Sequence, residues 1–242
     1  MKRLLDILIS FSALLLFSPL LVTVMFLVWR QDRHSAFYVA PRVGLNQKDF
    51  NMVKLRSMII DADKTGVDST GSSDQRITPI GKFIRKYKLD ELTQLWNVLI
   101  GDMSLVGPRP NVRRETDLYT EIEKGLLKVK PGITDFASIV FSDEGDILED
   151  KEDPDLAYNQ LIRPWKSRLG LIYIENENFF LDIKIIFYTV ISILKRDTSI
   201  AWVVSRLASY DSDPQLIEVS RRNNVLYPFP PPGSDVIVGS RD

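Results

Sequence analysis

The sequence predicts a mainly α-helical protein with a few short β-strands and an N-terminal segment that enters a membrane. Three observations support this fold class: a long uncharged apolar run near the N-terminus, apolar residues at helical spacings further along, and short extended runs between residues 36 and 60. A chain of 242 residues suits one globular domain with appendages. We divide it into a membrane segment (1–33), a globular domain (34–210) and a Pro-rich tail (211–242).

The composition excludes several functional classes. The formal net charge of −1 gives no overall field that would attract nucleic acid, so we expect no nucleic-acid partner. The chain has no cysteine, which excludes disulfides and thiolate sites. One histidine, His34, leaves little room for a Ser-His-Asp triad or a zinc site. If the protein is an enzyme, carboxylates and basic side chains must therefore supply the chemistry.

The apolar run from Ile7 to Val28 contains 22 uncharged residues. As a helix it would be about 33 Å long, enough to cross a hydrocarbon core of about 30 Å. A cleaved signal peptide fits poorly, because the run is too long and no small-residue cleavage site follows it. Length alone favours an ordinary membrane-spanning anchor.

Two features argue against a straight span. Pro19, preceded by Ser18, lies in the middle of the run, where proline removes a helix donor and favours a kink or break. The Ser18 hydroxyl is suited to bond the carbonyl that proline leaves free. Basic residues flank both ends of the run, whereas a spanning helix usually carries them on the cytoplasmic side only. A kinked span and a helix that enters and leaves by the same face both remain open at this point.

The remaining elements are predicted from periodicity and from turn residues. We expect short extended pieces at 36–60, a polar loop at 61–76, and a Gly/Pro turn at 104–110. We expect helices at Ile77–Lys88 (opened by Thr78-Pro79), Leu89–Ile100, Asn111–Val129, Tyr158–Glu175 (with Pro164 at a boundary) and Phe179–Lys195.

Three segments carry further expectations. The helix Phe179–Lys195 is shorter than the about 20 residues that a membrane-spanning helix needs. It suits a core helix or one lying in the membrane interface. Residues 143–155 carry eight acids against Lys151, which is typical of a solvated loop. The Pro-rich tail should have little structure of its own.

Adjacent carboxylates at Asp90 and Glu91 are the main chemical feature. They follow the basic cluster Arg85-Lys86-Tyr87-Lys88 at the start of an amphipathic helix. Acids in a first helical turn commonly do no more than offset the helix dipole. The alternative is a phosphate site, in which one carboxylate attacks phosphorus and the other helps hold Mg²⁺.

Further cations stand in turn-rich strings. Lys54 and Arg56 lie on one face of an extended piece. Arg109, in the rigid loop Gly107–Pro110, presents a guanidinium suited to forked contact with phosphate. Either string alone is a weak signal, since most exposed Arg and Lys only increase solubility.

Together these strings resemble the monotopic phosphoglycosyl transferases, a bacterial sugar transferase family, over about residues 1–200. The matching strings are Arg42–Gly44, Lys54–Met58, Gly81–Lys86, Leu89–Leu92, Gln94-Leu95, Asn97–Leu99, Gly101–Pro110, Lys130–Thr134, Tyr173–Asn176 and Leu181–Ile185. The sequence departs from the pattern at Lys88, at Thr93, at Asp135 (where glycine is usual) and through 136–155. We expect the last stretch to influence sugar preference.

The resemblance implies a reaction and the residues that perform it. Asp90 would attack the sugar-linked phosphate of a UDP-sugar, release UMP and form a phosphosugar-aspartate that polyprenyl phosphate then attacks. Glu91, together with Asp90, would hold Mg²⁺. The implied phosphate contacts are Arg85 and Arg109, with Lys54, Arg56 and Lys86 as weaker candidates from the same strings.

The resemblance also implies a location. It favours a monotopic protein with a re-entrant helix broken at Ser18-Pro19, and a catalytic domain with interfacial amphipathic helices. The expected place is the cytoplasmic face of the bacterial inner membrane, in contact with lipids, and a homo-oligomer is left open. Two rival hypotheses are a non-catalytic membrane-anchored scaffold and a hydrolase with an acid–base carboxylate pair. Adjacent carboxylates in a helix point about 100° apart, which disfavours the hydrolase.

Overall fold

A computed structural model describes residues 1–67 and 69–240, and it is mainly helical, as predicted. The strands are β1 (Phe37–Val43), β2 (Asp49–Leu55), β3 (Ser104–Val106) and β4 (Gly132–Thr134). The helices are α1 (Lys2–Asp32), α2 (Pro79–Lys86), α3 (Leu89–Leu92), α4 (Gln94–Ile100), α5 (Arg113–Thr116), α6 (Phe136–Val140), α7 (Glu144–Ile147), α8 (Pro154–Ala157), α9 (Arg163–Asn176), α10 (Phe179–Ser192), α11 (Arg196–Ser209) and α12 (Pro214–Ser220).

The predicted extended pieces form an antiparallel hairpin of β1 and β2. Its register pairs Tyr38 with Lys54 and Arg42 with Phe50. Asn97 of α4 fixes the hairpin to the helices: its Oδ1 accepts from the Val53 N–H at 2.9 Å, and its Nδ2 donates to the Asn51 carbonyl at 2.7 Å. The hairpin therefore places Lys54 against α3 and α4.

Helix α2 begins where the sequence predicted. Thr78 caps it by accepting the Gly81 N–H at 3.0 Å, and Pro79 occupies the first turn. Lys88 has a left-handed backbone conformation (φ 52°) and lies in the turn between α2 and α3. The predicted helix 89–100 follows as α3 and α4, with Thr93 between them.

Strands β3 and β4 pair in parallel, and two further backbone hydrogen bonds hold the chain at Gly107 close to the chain at Gly132. The Gly107 N–H donates to the Thr134 carbonyl, and the Gly132 N–H donates to the Pro108 carbonyl, both at 2.9 Å. A Cβ added at Gly132 would lie 2.1 Å from the Gly107 nitrogen, so only glycine permits this approach. The approach fixes the loop that carries Arg109.

The main core surrounds α6, whose Phe136, Ile139 and Val140 are fully buried. Helices α9, α10 and α11 pack around it. A π-helix at Tyr158–Ile162 leads into α9, with Pro164 at its first turn as predicted. Helix α10 covers most of the predicted Phe179–Lys195.

The predicted helix Asn111–Val129 is wrong. The structure has only α5 and a 3₁₀ turn at Glu123–Lys128 there. Side-chain bonds compete with the helix, because Thr120 Oγ1 accepts the Glu123 N–H at 3.1 Å and Glu123 Oε2 accepts the Thr120 N–H at 3.1 Å. Glu123 itself is held in the core by tertiary partners.

The acidic stretch 143–155 is only partly the predicted solvated loop. Residues 149–152 are exposed, whereas the flanking residues form α7 and α8 and two of their acids pair with cations. Asp143 pairs with Arg196 at 2.9 Å and with Arg222 at 3.2 Å, and Glu144 pairs with Lys166. Like charges are tolerated here because cations from distant helices neutralise them.

The tail has more structure than predicted. Residues 214–220 form α12, and the Pro-rich segment that follows, although irregular, is fixed to the domain. The ring of Phe229 stacks on that of Trp165 with centroids 4.3 Å apart. Thr120 Oγ1 donates to the Pro232 carbonyl at 2.5 Å, and Gln160 Nε2 donates to the Val238 carbonyl at 2.7 Å.

Helix α1 is continuous, whereas the sequence predicted a break at Ser18-Pro19. The Ser18 hydroxyl donates to the Leu15 carbonyl at 2.8 Å, which is the carbonyl that Pro19 leaves without its helical N–H donor. This predicted bond is confirmed, and it explains how the helix continues through proline. Helix α1 is long and apolar enough to cross a membrane by length and composition.

Both ends of α1 are bound to the globular domain. At the start, Arg3 donates to the Val98 and Leu99 carbonyls at 2.5 and 2.8 Å, and the buried Asp6 accepts the Leu105 N–H at 3.0 Å. At the end, Asp32 is paired with Arg56. None of residues 11–20 is buried. The helix is therefore anchored at its two ends, and its apolar middle faces outward.

Candidate active site

All seven residues predicted for chemistry or substrate line one cavity of about 1120 Å³. They come from β2 and the residue after it, from α2 and α3, and from the loop after β3. These residues are Lys54, Arg56, Arg85, Lys86, Asp90, Glu91 and Arg109. Segments up to 55 residues apart in sequence thus converge on one space.

Asp90 and Glu91 lie on the single turn of α3, directly after the left-handed Lys88. Both side chains are half-buried. Glu91 Oε1 accepts from Arg109 Nη1 at 3.0 Å, while the Asp90 carboxylate accepts no hydrogen bond from the described residues. Asp90 is thus the carboxylate that is free to approach a substrate.

The electrostatic surroundings separate the two carboxylates. Burial raises the pKa of Asp90 above the usual carboxyl range, although Lys54 opposes this shift. The pKa of Glu91 is lowered despite its burial, because Arg109 and other cations stabilise its charge. Glu91 therefore holds its negative charge more readily than Asp90, which has the higher proton affinity.

Arg109 is held from two sides. Its Nη1 also donates to the Ile133 carbonyl at 2.9 Å, next to the close approach at Gly132. The charge of Glu91 is the main cause that raises the pKa of Arg109. Burial opposes this increase, and the charges of Glu144, Asp90 and Asp135 add to it. This guanidinium is fixed beside the carboxylate dyad of Asp90 and Glu91.

Lys54 on β2 and Arg85 on α2 both act electrostatically on Asp90. Burial lowers the pKa of Lys54, and the charge of Asp90 partly restores it. Arg85 is fixed by a hydrogen bond from its Nε to the Ser57 hydroxyl at 3.2 Å, and Asp90 acts on it electrostatically. These two cations and Arg109 supply positive charge around one free carboxylate.

The two remaining candidates have different surroundings. Arg56 lies in the cavity wall, but its guanidinium is bound to Asp32 at 2.5 and 2.7 Å and to the Ser35 carbonyl at 2.8 Å. Its contacts fasten the end of α1. Lys86 is exposed, with its Nζ 5.6 Å from the ring centre of Tyr87.

Sequence reasoning missed several residues of the cavity. Arg42 of β1 lies near Lys54 and was noted only as part of a matching string. Asp135, Glu144 and Lys166 also line the cavity, and Asp135 was singled out only as a departure from the usual glycine. That departure and the unusual stretch 136–155, which contains Glu144, were the sequence signals for this wall.

Fold and site together define a class: a protein with a long, exposed apolar helix whose cavity combines paired carboxylates with cations suited to phosphate groups. The bacterial sugar transferase family model matches residues 1–196, and the chain belongs to this family.

Three relatives illustrate the similarity. A UDP-N-acetylgalactosamine-undecaprenyl-phosphate N-acetylgalactosaminephosphotransferase of Aeromonas hydrophila is 35% identical over 196 residues, covering 80% of this chain and 43% of the relative. A UDP-glucose:undecaprenyl-phosphate glucose-1-phosphate transferase of Klebsiella pneumoniae is 37% identical over 193 residues, covering 78% and 39%. A sugar transferase of Bacillus subtilis, EpsL, is 35% identical over 194 residues, covering 80% and 87%. The chain spans about two fifths of the length of the first two relatives.

Proposed function

We propose that this protein transfers a sugar-1-phosphate from a UDP-sugar to polyprenyl (undecaprenyl) phosphate and releases UMP. Such a transfer starts the assembly of a lipid-linked glycan. The observation that carries the proposal is the convergence of the free Asp90 carboxylate with Lys54, Arg85 and Arg109 in one cavity. Relatives whose names specify UDP-sugars and undecaprenyl phosphate support the choice of substrates.

The chemistry proceeds in two displacements at one phosphorus atom. An Asp90 oxygen attacks the phosphorus that carries the sugar, the bond from that phosphorus to the bridging oxygen breaks, and UMP leaves with that oxygen. An oxygen of polyprenyl phosphate then attacks the same phosphorus. The bond to Asp90 breaks, which regenerates the carboxylate and gives a polyprenyl-diphosphate sugar.

The surrounding cations stabilise charge during both displacements. Lys54, Arg85 and Arg109 are positioned before substrate arrives, so they require little reorganisation as charge develops on the phosphoryl oxygens. The ion pair with Glu91 and the bond to the Ile133 carbonyl orient Arg109. Glu91 therefore acts partly by positioning this guanidinium.

The donor atoms of the dyad fit Mg²⁺. Carboxylate oxygens are hard ligands, and Mg²⁺ is often held by one or two of them together with substrate phosphates and water. The described residues contain no group of three or more acids or histidines placed to hold a metal, so substrate oxygens would complete the coordination. Asp90 and the second oxygen of Glu91 would contact the ion, which would supply charge neutralisation for the diphosphate.

We further propose that α1 is immersed in one leaflet of the membrane and keeps both of its ends on the same face, without crossing to the other side. Because Arg3 and Asp32, near its two ends, both bind the globular domain, both ends belong on the side of that domain. The exposed apolar side chains of its middle and those of α10, such as Phe187 and Val190, would contact lipid. His34 and Ser35, just after the C-cap of α1, line the cavity, and this supports a position of the carboxylates near the membrane surface, which we propose is the cytoplasmic face of the inner membrane.

UMP release tests the reaction. We would incubate purified protein in lipid nanodiscs with Mg²⁺, undecaprenyl phosphate and a panel of UDP-sugars. Wild-type protein should release UMP with at least one sugar, and Asp90→Asn should release none. Without the lipid acceptor, intact-protein mass spectrometry should show a sugar-phosphate adduct on wild type only.

The matched control is Asp117→Asn, the same change at an exposed carboxylate outside the cavity. It should release UMP at the wild-type rate. A folded wild-type protein that releases no UMP from any donor would favour the scaffold hypothesis. Release of free sugar without any lipid product or adduct would favour the hydrolase.

A further inference from the structure

We propose that Asp135 is a specificity-determining residue that binds a hydrogen-bond-donating group, a hydroxyl or amide N–H, on the sugar of the donor. This inference rests on the proposed function and adds the subsite that selects the sugar. The subsite, which we name the acidic wall, consists of Asp135, Ser138, Glu144 and Lys166.

Asp135 is buried yet faces the cavity. Its side chain lines the cavity, although only 2% of the residue is exposed. Its Oδ1 caps α6 by accepting from the Ser138 N–H at 2.7 Å and from the Ser138 hydroxyl at 2.8 Å. Its Oδ2 accepts no hydrogen bond from any described residue. An acceptor that is removed from bulk water and left unpaired is suited to a ligand that donates.

The rest of the acidic wall is fixed in place. Lys166 of α9 forms an ion pair with Glu144 of α7, so neither side chain is free to neutralise Asp135 by direct contact. The charge of Lys166 still acts on Asp135, as does that of Arg109. Burial nevertheless raises the pKa of Asp135.

Charge decides which part of the donor faces this wall. Two carboxylates and one ammonium leave the acidic wall net negative, so it repels the diphosphate and the lipid phosphate. Those groups belong with the cations Lys54, Arg85 and Arg109. The uncharged sugar has hydroxyl donors and suits the wall.

Position favours the sugar over the uridine. Asp135 acts electrostatically on Arg109, which is itself bonded to Glu91 of the dyad. The sugar is bonded directly to the phosphorus that Asp90 attacks, whereas the uridine is one phosphate further away. The group closest to both Asp90 and Asp135 is therefore the sugar ring.

The test compares Asp135→Asn with wild type on each active UDP-sugar and on its monodeoxy analogues. Asparagine still caps α6 through its side-chain oxygen, but it replaces the Oδ2 acceptor by a donor. We expect kcat/KM for the preferred donor to fall by roughly 10- to 100-fold, the range for hydrogen bonds to charged groups. We also expect the variant to lose discrimination against one deoxy analogue.

Controls separate this role from capping. Asp153→Asn makes the same change at the cap of α8, outside the cavity, and should leave donor ranking unchanged. Asp135→Ser retains a capping oxygen and serves if the asparagine variant is unstable. A folded Asp135 variant with wild-type kcat/KM and donor ranking would reduce Asp135 to a helix cap and overturn the inference.

Two further outcomes are distinguishable. Altered discrimination only against donors deoxygenated in the ribose would assign Asp135 to the uridine and overturn the sugar assignment. Absence of UMP release by wild type would refute the proposed function itself, and the inference with it.

Discussion

The buried ion pair between Glu123 and Arg163 gives the sharpest stability prediction. Both side chains are at most 1% exposed, and the pair closes at 2.5 and 3.0 Å. Arg163 also donates to Asn159 Oδ1 at 2.8 Å and to the Leu118 carbonyl at 2.6 Å, and the Ser167 hydroxyl donates to Glu123 at 2.7 Å. The polar atoms of this cluster satisfy one another in a nearly solvent-free environment, so the loss of one partner leaves others unsatisfied.

Removing one member leaves a buried charge without its counterion. Glu123→Gln should destabilise the protein by about 3–5 kcal/mol, the usual cost of breaking a buried pair. At about 2–4 °C per kcal/mol for a domain of this size, the unfolding temperature should fall by roughly 6–20 °C. Thermal unfolding followed by tryptophan fluorescence suits this measurement, because the buried Trp165 lies on the same helix as Arg163.

Two comparisons make the measurement decisive. Glu121→Gln makes the same change in the exposed pair with Lys124 and should cost less than about 1 kcal/mol. The double variant Glu123→Gln with Arg163→Met should lose clearly less stability than the sum of the two single losses. A loss below about 1 kcal/mol in each single variant, or strict additivity in the double, would refute the reasoning.

Two further predictions concern the site and the tail. Since burial raises the pKa of Asp90, and only the charged carboxylate attacks, kcat/KM for the donor should rise with pH around a midpoint above the ordinary carboxyl value of about 3.9. Lys54→Met removes a cation that lowers this pKa, so it should move the midpoint of the pH–rate profile to higher pH. Lys128→Met, outside the cavity, should leave the midpoint unchanged. Equal midpoints for Lys54→Met and wild type would contradict the assignment. Phe229→Ala removes the ring stacked on Trp165 and approached by Arg168 at 4.9 Å. Because Phe229 is partly exposed, we expect a loss of about 1–2 kcal/mol in thermal unfolding, and an unchanged melting temperature would show that the tail does not stabilise α9.

Local chemistry determined the elements that the sequence predicted well. The Thr78-Pro79 start of α2, the apolar periodicity of 89–100 and Pro164 at the start of α9 act within one or two turns. The bond from Ser18 to the Leu15 carbonyl is likewise a contact between near neighbours in sequence. The same holds for the adjacency of Asp90 and Glu91, which needs no tertiary contact.

Tertiary packing decided what depends on distant partners. The absence of a long helix at 111–129, where distant Arg163 holds Glu123, and the pairing of acids in 143–155 follow from bonds that periodicity does not encode. Arg56 and Arg109 look alike in sequence, yet Asp32 engages the first and Glu91 the second.

The sequence by itself thus determined which residue types are available for phosphate chemistry and on which local elements they stand. Only the tertiary structure decided which of them share a cavity, because the parallel pairing of β3 with β4 places Arg109 beside α3. It also placed Asp135 in the cavity wall, since burial and an unpaired oxygen are properties of the surroundings and not of the residue.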